Sequence, residues 1–350
     1  MPEFRPNFMA TGIGSLPHRQ PAAAVTDVLS RLAEMPYWPQ LPGRDPSEGM
    51  NAQYAGALAP LLSVDPADGE VRVNPGLDRE SALAGFYERL WGQADDFGLR
   101  SESAAGFFEF IDQVTAAPAE AYPWVKGHVT GPLTLAASVL GADGKAVLYD
   151  DEVAEAVARG LGAAAAAQAA QMAPLGRSVM IFFDEPFLSG FGSAFTPVAR
   201  QRVVELLGFA HEEARQRCDA VLGVHCCGNT DWAMIVESGT DVLNLDSVGY
   251  GQHLLLYPEA VRELYARGSV VAWGAAPTEQ YQGHETPQGL WEELRGLLDQ
   301  VAALGVEPAV IKAQGMITPA CGMGSLSQDA ARAILDLTRG VSELARQDYG

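Results

Sequence analysis

The stretch "AVLGVHCCGNTDWAMIVESGTDVLNLD" (220–246) contains two apolar runs separated by a helical pattern. Residues 220–225 and 241–246 are predicted to form buried strands, and residues 230–239 a short helix that begins with a Thr or Asp cap. A strand, a helix and a second strand in succession are typical of an α/β fold.

The same alternation extends over most of the chain, with eight predicted strands, most of them followed by a helix. These strands are 8–13, 37–41, 124–129, 178–183, 220–225, 241–246, 269–274 and 309–314. The count predicts a single (β/α)₈ TIM barrel; a doubly wound sheet is the alternative. Such barrels commonly run to about 250 residues or more as one unit, so residues 1–350 are predicted to form one catalytic domain.

One segment departs from the alternation. Residues 61–76 show period-2 alternation around an Ala-Asp-Gly turn, which predicts a small β-hairpin inserted outside the main layer, where it could serve as a lid.

Charge and composition exclude several kinds of partner. The formal charge is −21, so a phosphate backbone or an anionic membrane surface would repel most of the exterior. We therefore expect neither nucleic acid nor membrane as a partner. Residues 1–12 lack the basic and apolar parts of a signal peptide, and no run approaches about 18 apolar residues, so the sequence predicts a cytoplasmic protein.

The cysteines do not indicate a disulfide framework. Cys218, Cys226, Cys227 and Cys321 are too few and too unevenly spaced for one. His225 and Cys227 are two positions apart, so an extended backbone points both to one face and Cys226 to the other. Cys226 is therefore predicted to be a buried structural thiol.

Polar residues follow most of the predicted strands, at the ends where a barrel carries its chemistry. They are Gly14 and Ser15, Glu48, Thr130 with Gly131 and Pro132, Asp184 and Glu185, His225 and Cys227, Asp246, and Cys321. We expect one rim to collect them.

Four of these side chains suit a metal. His225, Cys227, Asp246 and Cys321 would form a four-ligand set of the kind that Zn²⁺ prefers. The four lie far apart in sequence, unlike the local ligand pairs of a zinc finger, so only a closed scaffold would bring them together. The alternative is that His225 is a satisfied polar residue and Cys321 an incidental loop thiol.

Such a zinc site favours sulfur chemistry. Two thiolates weaken the metal as a Lewis acid for water, whereas an incoming thiol would bind and lose its proton, so the implied reaction is alkyl transfer to sulfur. For an amino-acid thiol, Asp184 and Glu48 could hold the ammonium, and backbone N–H groups at 12–15 could hold the carboxylate. Alternatively, Asp184 is a cap and Glu48 is solvated. His128, near the rim, is the most plausible auxiliary catalytic group.

Six motifs, taken in order, resemble segments of the catalytic domain of cobalamin-independent methionine synthase, from the superfamily that includes uroporphyrinogen decarboxylase. They are "TGIGSLPH" (11–18), "VTGPLTLA" (129–136), "FFDEPFL" (182–188), "GVHCCGN" (223–229), "TDVLNLDS" (240–247) and "TPACGMG" (318–324). The resemblance spans nearly the whole chain and implies a barrel that methylates homocysteine.

The resemblance also implies roles for individual residues. An HxC motif, a carboxylate on the next strand and a PxCG motif supply the family's zinc ligands, which correspond here to His225, Cys227, Asp246 and Cys321. Asp246 stands where the family usually has Glu. The homocysteine-binding positions correspond to Ile13, Gly14, Ser15, Glu48 and Asp184.

Two departures bear on the methyl donor. The chain has "LTLAASV" (133–139) where folate enzymes carry a tryptophan, and "WGAAPT" (273–278) where they carry a histidine. Without those residues, the resemblance to short relatives of the family implies a methylated corrinoid as donor, presented by a corrinoid protein, rather than folate.

Three other functions remain open. A related zinc enzyme could methylate another thiol such as coenzyme M, although a sulfonate without an ammonium would leave Glu48 and Asp184 unexplained. A metal-free decarboxylase of the uroporphyrinogen type would need a basic pocket, and only Arg19, Arg44 and Lys126 are obvious cations near the rim. A non-catalytic thiol-binding or corrinoid-binding protein with a structural zinc is the third.

Overall fold

The computed structural model describes residues 4–76, 78–92, 96–118, 120–193 and 196–349. The strands are β1 Met9–Ala10, β2 Leu62–Val64, β3 Val71–Val73, β4 Trp124–Thr130, β5 Ser178–Asp184, β6 Val221–Cys226, β7 Val242–Asp246, β8 Val270–Ala276 and β9 Gly315–Pro319. The helices are α1 Pro21–Arg31, α2 Ala52–Ala55, α3 Arg79–Trp91, α4 Ala105–Ala116, α5 Pro132–Ser138, α6 Asp151–Met172, α7 Arg200–Arg217, α8 Trp232–Glu237, α9 Ser247–Leu254, α10 Pro258–Ala266, α11 Pro287–Ala303, α12 Pro308–Ala313 and α13 Gln328–Asp348.

Seven strands form one parallel sheet in the order β1-β9-β8-β7-β6-β5-β4. The register aligns Thr130 with Asp184, and Asp184 with His225. Because all the strands point the same way, their carboxyl ends lie at one edge of the sheet. The predicted α/β class is confirmed, and that edge carries the residues at which sequence analysis places the chemistry.

The sheet packs on both of its faces. A compact apolar cluster fills the inner face, with members Met35, Met180, Phe182, Val221, Val242, Val270, Ala272 and Met316. Helices cover the outer face with a much larger apolar core. Strands buried on both faces read as nearly continuous apolar runs, which is why periodicity located five of them to within one or two residues at each end.

The eight predicted strands are not all present as regular strands. Residues 37–41 form isolated parallel bridges instead, Tyr37 with Lys126 of β4 and Gln40 with Ser15 after β1. The Trp38 N–H donates to the Lys126 carbonyl at 3.2 Å, and the Gln40 N–H donates to the Gly14 carbonyl at 3.1 Å. The prolines at 36 and 39 have no N–H to donate, so a continuous ladder cannot form here.

Two other strand predictions need correction. Residues 309–314 were predicted as the last strand, but residues 309–313 lie in α12, which Pro308 begins, Gln314 is its C-cap, and the strand follows as β9. An apolar run this short fits either element, so periodicity alone misassigned it. The predicted strand 8–13 is regular only at Met9–Ala10, after which the chain turns into the site.

The predicted hairpin at 61–76 is confirmed. Strands β2 and β3 pair antiparallel, with Leu62 opposite Val73, and form a separate two-stranded sheet. The cap predicted for the helix after β6 is Asp231, whose carboxylate accepts from the N–H groups of Ala233 and Met234. None of the helices in the described ranges is long and apolar enough to cross a membrane.

Gln168 of α6 joins the bridging segment to β4 from the outer side. Its Oε1 accepts from Trp38 Nε1 at 2.9 Å and from the His128 N–H at 3.1 Å, and its Nε2 donates to the His128 carbonyl at 3.0 Å. The side chain is fully buried, and a Cβ on Gly127 would lie 1.8 Å from its Oε1. The Gln168 side chain therefore occupies the space that a side chain at position 127 would need.

We expect Gln168→Leu to lower the free energy of unfolding by about 2–4 kcal/mol, because it leaves the Trp38 and His128 N–H donors buried without partners, while the His128 carbonyl keeps only the Tyr54 hydroxyl. Urea denaturation followed by circular dichroism measures the loss. The control is Gln201→Leu on the exposed side of α7. Equal stability of the two variants would contradict this role for Gln168.

Candidate metal and thiol site

Three soft ligands meet at the carboxyl edge of the sheet. The ligand atoms of His225, Cys227 and Cys321 all lie within 4.8 Å of one another. His225 is in β6, Cys227 directly follows β6, and Cys321 lies two residues past the end of β9. The fold therefore brings together three of the four side chains that the sequence proposed as metal ligands.

A hydrogen-bond chain sets the orientation of the His225 ring. Asn244, opposite it on β7, donates through Nδ2 to the Ala272 carbonyl at 2.7 Å and to Thr318 Oγ1 at 2.9 Å. This leaves Asn244 Oδ1 to accept from His225 Nδ1 at 2.6 Å. Nδ1 therefore carries a proton, which leaves Nε2 as the ring nitrogen available to the cluster, as in histidines that bind metals.

The two thiols interact with each other. A hydrogen bond from Cys321 and the neighbouring His225 lower the pKa of Cys227, while the same pairing raises the pKa of Cys321. Cys227 is thus the readier thiolate. Cys226 faces the opposite side of β6, is fully buried, and places its sulfur 3.6 Å from the Gly228 carbonyl oxygen, which confirms its prediction as a packing residue.

Asp246 is near this cluster but is not a member of it within the described residues. It ends β7, and its Oδ1 accepts from the Gly249 N–H at 2.9 Å, so it caps α9. It lines the same cavity as Cys227 and Cys321.

Asp184 lies next to His225 in the register and is largely enclosed. Its Oδ1 is buried and has no hydrogen-bond partner among the described residues. Burial raises the pKa of Asp184, and the positive charges of His225 and Lys126 oppose that shift. A buried carboxylate oxygen without a donor is costly, so this atom is a candidate to bind a ligand's N–H group.

Glu48 is a second carboxylate with an unused oxygen. It ends the 3₁₀ turn Pro46–Glu48 and is completely buried, with Oε1 paired to Arg44 and Oε2 without a hydrogen bond among the described residues. Burial raises its pKa, and the ion pair with Arg44 opposes this. The structure therefore does not support the alternative that Glu48 is simply solvated.

The turn after β1 presents backbone N–H groups. The carbonyls of Ile13, Gly14 and Ser15 accept from Lys126 Nζ at 2.6 Å, from the Gln40 N–H and from the Met323 N–H, respectively. Within the described ranges, no hydrogen bond is seen from the N–H groups of the three turn residues. An anion could bind there.

This turn also contacts the loop that carries Cys321. Ser15 Oγ accepts from the Gly324 N–H at 3.2 Å, and a Cβ on Gly322 would lie 2.4 Å from the same oxygen. The predicted thiol-binding turn and a predicted metal ligand are thus held in one unit, which requires the glycines of "CGMG" (321–324).

His128 does not join the metal cluster. Its ring stacks on Trp38 with centroids 4.0 Å apart, and its other face lies against Gly14, where a Cβ would be 3.0 Å from the ring. Burial lowers its pKa well below the usual range, so the ring is neutral. In the structure, His128 supports the turn that follows β1. Its predicted catalytic role stays a prediction.

Sequence reasoning did not predict the roles of three residues that organise the site. Lys126 is fully buried and supports the turn, Asn244 orients His225, and Glu185 accepts from the N–H groups of Leu133 and Thr134 at the start of α5. Polar residues in otherwise apolar strands were the available signal for Lys126 and Asn244. Glu185 was placed at the rim, but its buried carboxylate is bonded to the first turn of α5.

These donors fit a thiophilic metal ion. Two sulfurs and an imidazole nitrogen, with the second ring nitrogen held by an amide oxygen, are a donor set typical of zinc. Asp246 is close enough to the cavity to be considered as a further ligand, which remains a prediction.

No family model and no curated protein sequence matches the chain. Solved structures do match. A B12-independent methionine synthase from Shewanella sp. W3-18-1 in complex with selenomethionine is 20% identical, with a TM-score of 0.47 over 68% of this chain and 67% of that one. A putative vitamin-B12-independent methionine synthase from Listeria monocytogenes is 13% identical, with a TM-score of 0.49 over 94% of this chain and 86% of that one.

We expect Asn244→Ala to weaken zinc affinity about 10–100-fold, because the His225 ring loses the acceptor that fixes its tautomer. Competition with a chromogenic chelator measures the affinity. Asn229→Ala, at an exposed position of the loop after β6, is the control. A folded Asn244→Ala protein with unchanged affinity would show that the ring is not oriented for a metal.

Proposed function

We propose that this protein is a zinc-dependent methyltransferase that methylates the thiol of homocysteine to make methionine. The observation that carries the proposal is the juxtaposition of a His-Cys-Cys cluster with Asp184, an enclosed carboxylate with a buried oxygen that has no donor. The cluster suits a sulfur ligand, and the carboxylate suits an ammonium.

His225, Cys227 and Cys321 would hold the zinc, with Asp246 as a proposed fourth ligand. When bound, zinc would supply a Lewis acid that lowers the pKa of a substrate thiol. Asn244 keeps the proton of His225 on Nδ1, so that Nε2 stays available. Burial of His225 and Asn244 limits the access of water to that ring.

The remaining residues would hold the amino-acid part of the substrate. Asp184 Oδ1 and Glu48 Oε2 would accept from its ammonium, and the N–H groups of residues 13–15 would donate to its carboxylate. Lys126 maintains the shape of that turn through the Ile13 carbonyl. His128, neutral and packed on Gly14, would support the turn without moving a proton. Fixing the sulfur relative to the donor supplies much of the rate in a direct displacement.

In the reaction, the sulfur lone pair forms a bond to the methyl carbon while the bond from that carbon to its carrier breaks and the carrier keeps the electron pair. The thiol proton is lost to solvent. A methylated corrinoid, presented by a corrinoid protein, is the donor that the sequence predicts, and its cobalt leaves without needing a proton.

The described cations argue against a decarboxylase acting on a substrate with many carboxylates. Lys126 donates to a backbone carbonyl, and Arg44 pairs with Glu48. Neither is left to bind a substrate carboxylate, and Arg19, the third cation predicted near the rim, is exposed at the surface. Coenzyme M would not use the oxygens of Asp184 and Glu48, so homocysteine is the better match.

The direct test is to measure zinc content and then methyl transfer to homocysteine, with methylcobalamin and methyltetrahydrofolate as separate donors. We expect about one zinc per chain, activity lost on chelation, and loss of both zinc and activity in Cys321→Ser. Cys218→Ser, at a cysteine outside the cluster, is the matched control. Full activity in metal-free protein would refute the proposal.

Asp184→Asn tests the choice of thiol. We expect at least a tenfold increase in KM for homocysteine, since the substitution removes a charge-assisted contact with the ammonium, and little change with coenzyme M. Steady-state kinetics with both thiols, together with zinc content, gives the readout. Equal effects on the two thiols would show that Asp184 does not bind an ammonium.

A further inference from the structure

The ring of His128 is buried beside the proposed thiol-binding turn with both of its nitrogens unpaired. The residue is only 2% exposed, and neither Nδ1 nor Nε2 has a hydrogen-bond partner among the described residues. Buried polar side chains are usually paired, and a neutral imidazole has one N–H donor and one acceptor to satisfy. Two unpaired nitrogens on one buried ring therefore point to a polar group that binds beside them when the site is occupied.

The strand sets the direction of this side chain. Gly127 faces α6, because a Cβ there would lie 1.8 Å from Gln168 Oε1, so His128 faces the opposite, inner side of the sheet. Lys126 shares that inner side, since its ammonium lies 4.3 Å from the centre of the Phe182 ring, which belongs to the inner cluster. The His128 ring therefore faces the interior of the curved sheet.

Asp184 is a diagonal neighbour of His128 on that inner side. In the register of β4 and β5, His128 is opposite Phe182 and Thr130 is opposite Asp184. Because adjacent strands are about 4.8 Å apart and rise about 3.3 Å per residue, the Cα atoms of His128 and Asp184 are roughly 8 Å apart. An α-amino acid carries its ammonium and its carboxylate on one carbon. If Asp184 holds the ammonium, the carboxylate comes within reach of His128.

The ring also lies against the turn that is proposed to hold this carboxylate. A Cβ on Gly14 would be 3.0 Å from His128 Nδ1. The N and Cβ atoms of one residue are about 2.5 Å apart, so Nδ1 lies within about 5.5 Å of the Gly14 nitrogen. One carboxylate can accept from two N–H donors at that separation.

We propose that His128 is a specificity-determining residue whose ring N–H donates to the carboxylate of the substrate, so that the site selects thiols that carry a carboxylate. The inference rests on the proposed methylation of homocysteine. The donating proton is assigned to Nδ1, the ring nitrogen beside Gly14. No proton is transferred in this role.

A neutral donor suits this position. Burial and the nearby Lys126 ammonium hold the pKa of His128 well below its usual range, so the ring is uncharged near neutral pH. Lys126 Nζ donates to the Ile13 carbonyl at 2.6 Å, and its charge would balance that of a carboxylate on the same turn. An imidazolium would add a second buried cation, which is costly.

The test compares three thiols that differ in one charged group. They are homocysteine, 3-aminopropane-1-thiol, which lacks the carboxylate, and 4-sulfanylbutanoate, which lacks the ammonium. Titration calorimetry with zinc-loaded full-length protein gives the Kd of each. We expect His128→Phe to weaken homocysteine and 4-sulfanylbutanoate about tenfold and to leave 3-aminopropane-1-thiol within twofold. Phe keeps a ring against Trp38 and Gly14 and removes only the N–H.

Three further variants separate this role from a loss of packing. His128→Asn carries an amide N–H near the position of Nδ1, so we expect it to recover the binding of homocysteine to within about threefold. Asp184→Asn should show the reverse pattern, weakening 3-aminopropane-1-thiol and sparing 4-sulfanylbutanoate. His284→Phe, at an exposed histidine, is the control. Zinc content and the thermal unfolding midpoint are measured for every variant.

A spectroscopic readout does not depend on zinc or on turnover. Methionine, the proposed product, has the same ammonium and carboxylate but no thiol. We expect methionine to shift the ring ¹⁵N resonances of His128, which are assigned by their loss in His128→Phe. We expect 3-(methylsulfanyl)propylamine, which lacks the carboxylate, to leave them in place.

The outcomes distinguish the two proposals. If His128→Phe changes the Kd of all three thiols equally, or of none, His128 does not bind the carboxylate, and the proposed function stands as long as homocysteine binds and is methylated. Ring resonances that methionine leaves unchanged would overturn the inference in the same way. If homocysteine neither binds nor is methylated from methylcobalamin or methyltetrahydrofolate, both proposals fail.

Discussion

Parallel pairing in one register is the constraint on which the site depends. It sets Asp184, His225 and Asn244 opposite one another on three neighbouring strands. The pairing of β8 with β9 places the loop of Cys321 at the same edge. Residues far apart in sequence thereby meet without any local motif, and a shift of one residue in β6 would turn His225 and Cys227 into the outer core.

Burial makes the charged groups of this site costly in free energy. Lys126, Glu48 and the enclosed Asp184 would each be expensive to bury unless neighbouring groups or a ligand compensated them. Arg44 and the Ile13 carbonyl compensate two of them, and a substrate ammonium would compensate the unused oxygens of Asp184 and Glu48.

Much of this was predictable from sequence because strands buried on both faces are apolar runs and because polar residues stop those runs abruptly. His225 and Cys227 were found in this way. Periodicity failed at 309–314, where a short apolar run is helical, and at 37–41, where prolines interrupt the ladder. It also does not show partners across strands, so neither the role of Asn244 nor the capping by Asp246 was foreseen.

The most direct measurement of the central claim is X-ray absorption at the zinc edge, with and without homocysteine. The account predicts that His225, Cys227 and Cys321 contribute one nitrogen and two sulfurs, and that homocysteine adds a third sulfur to the metal's neighbours. A spectrum that homocysteine leaves unchanged, with the three protein ligands in place, would contradict activation of the thiol at this site.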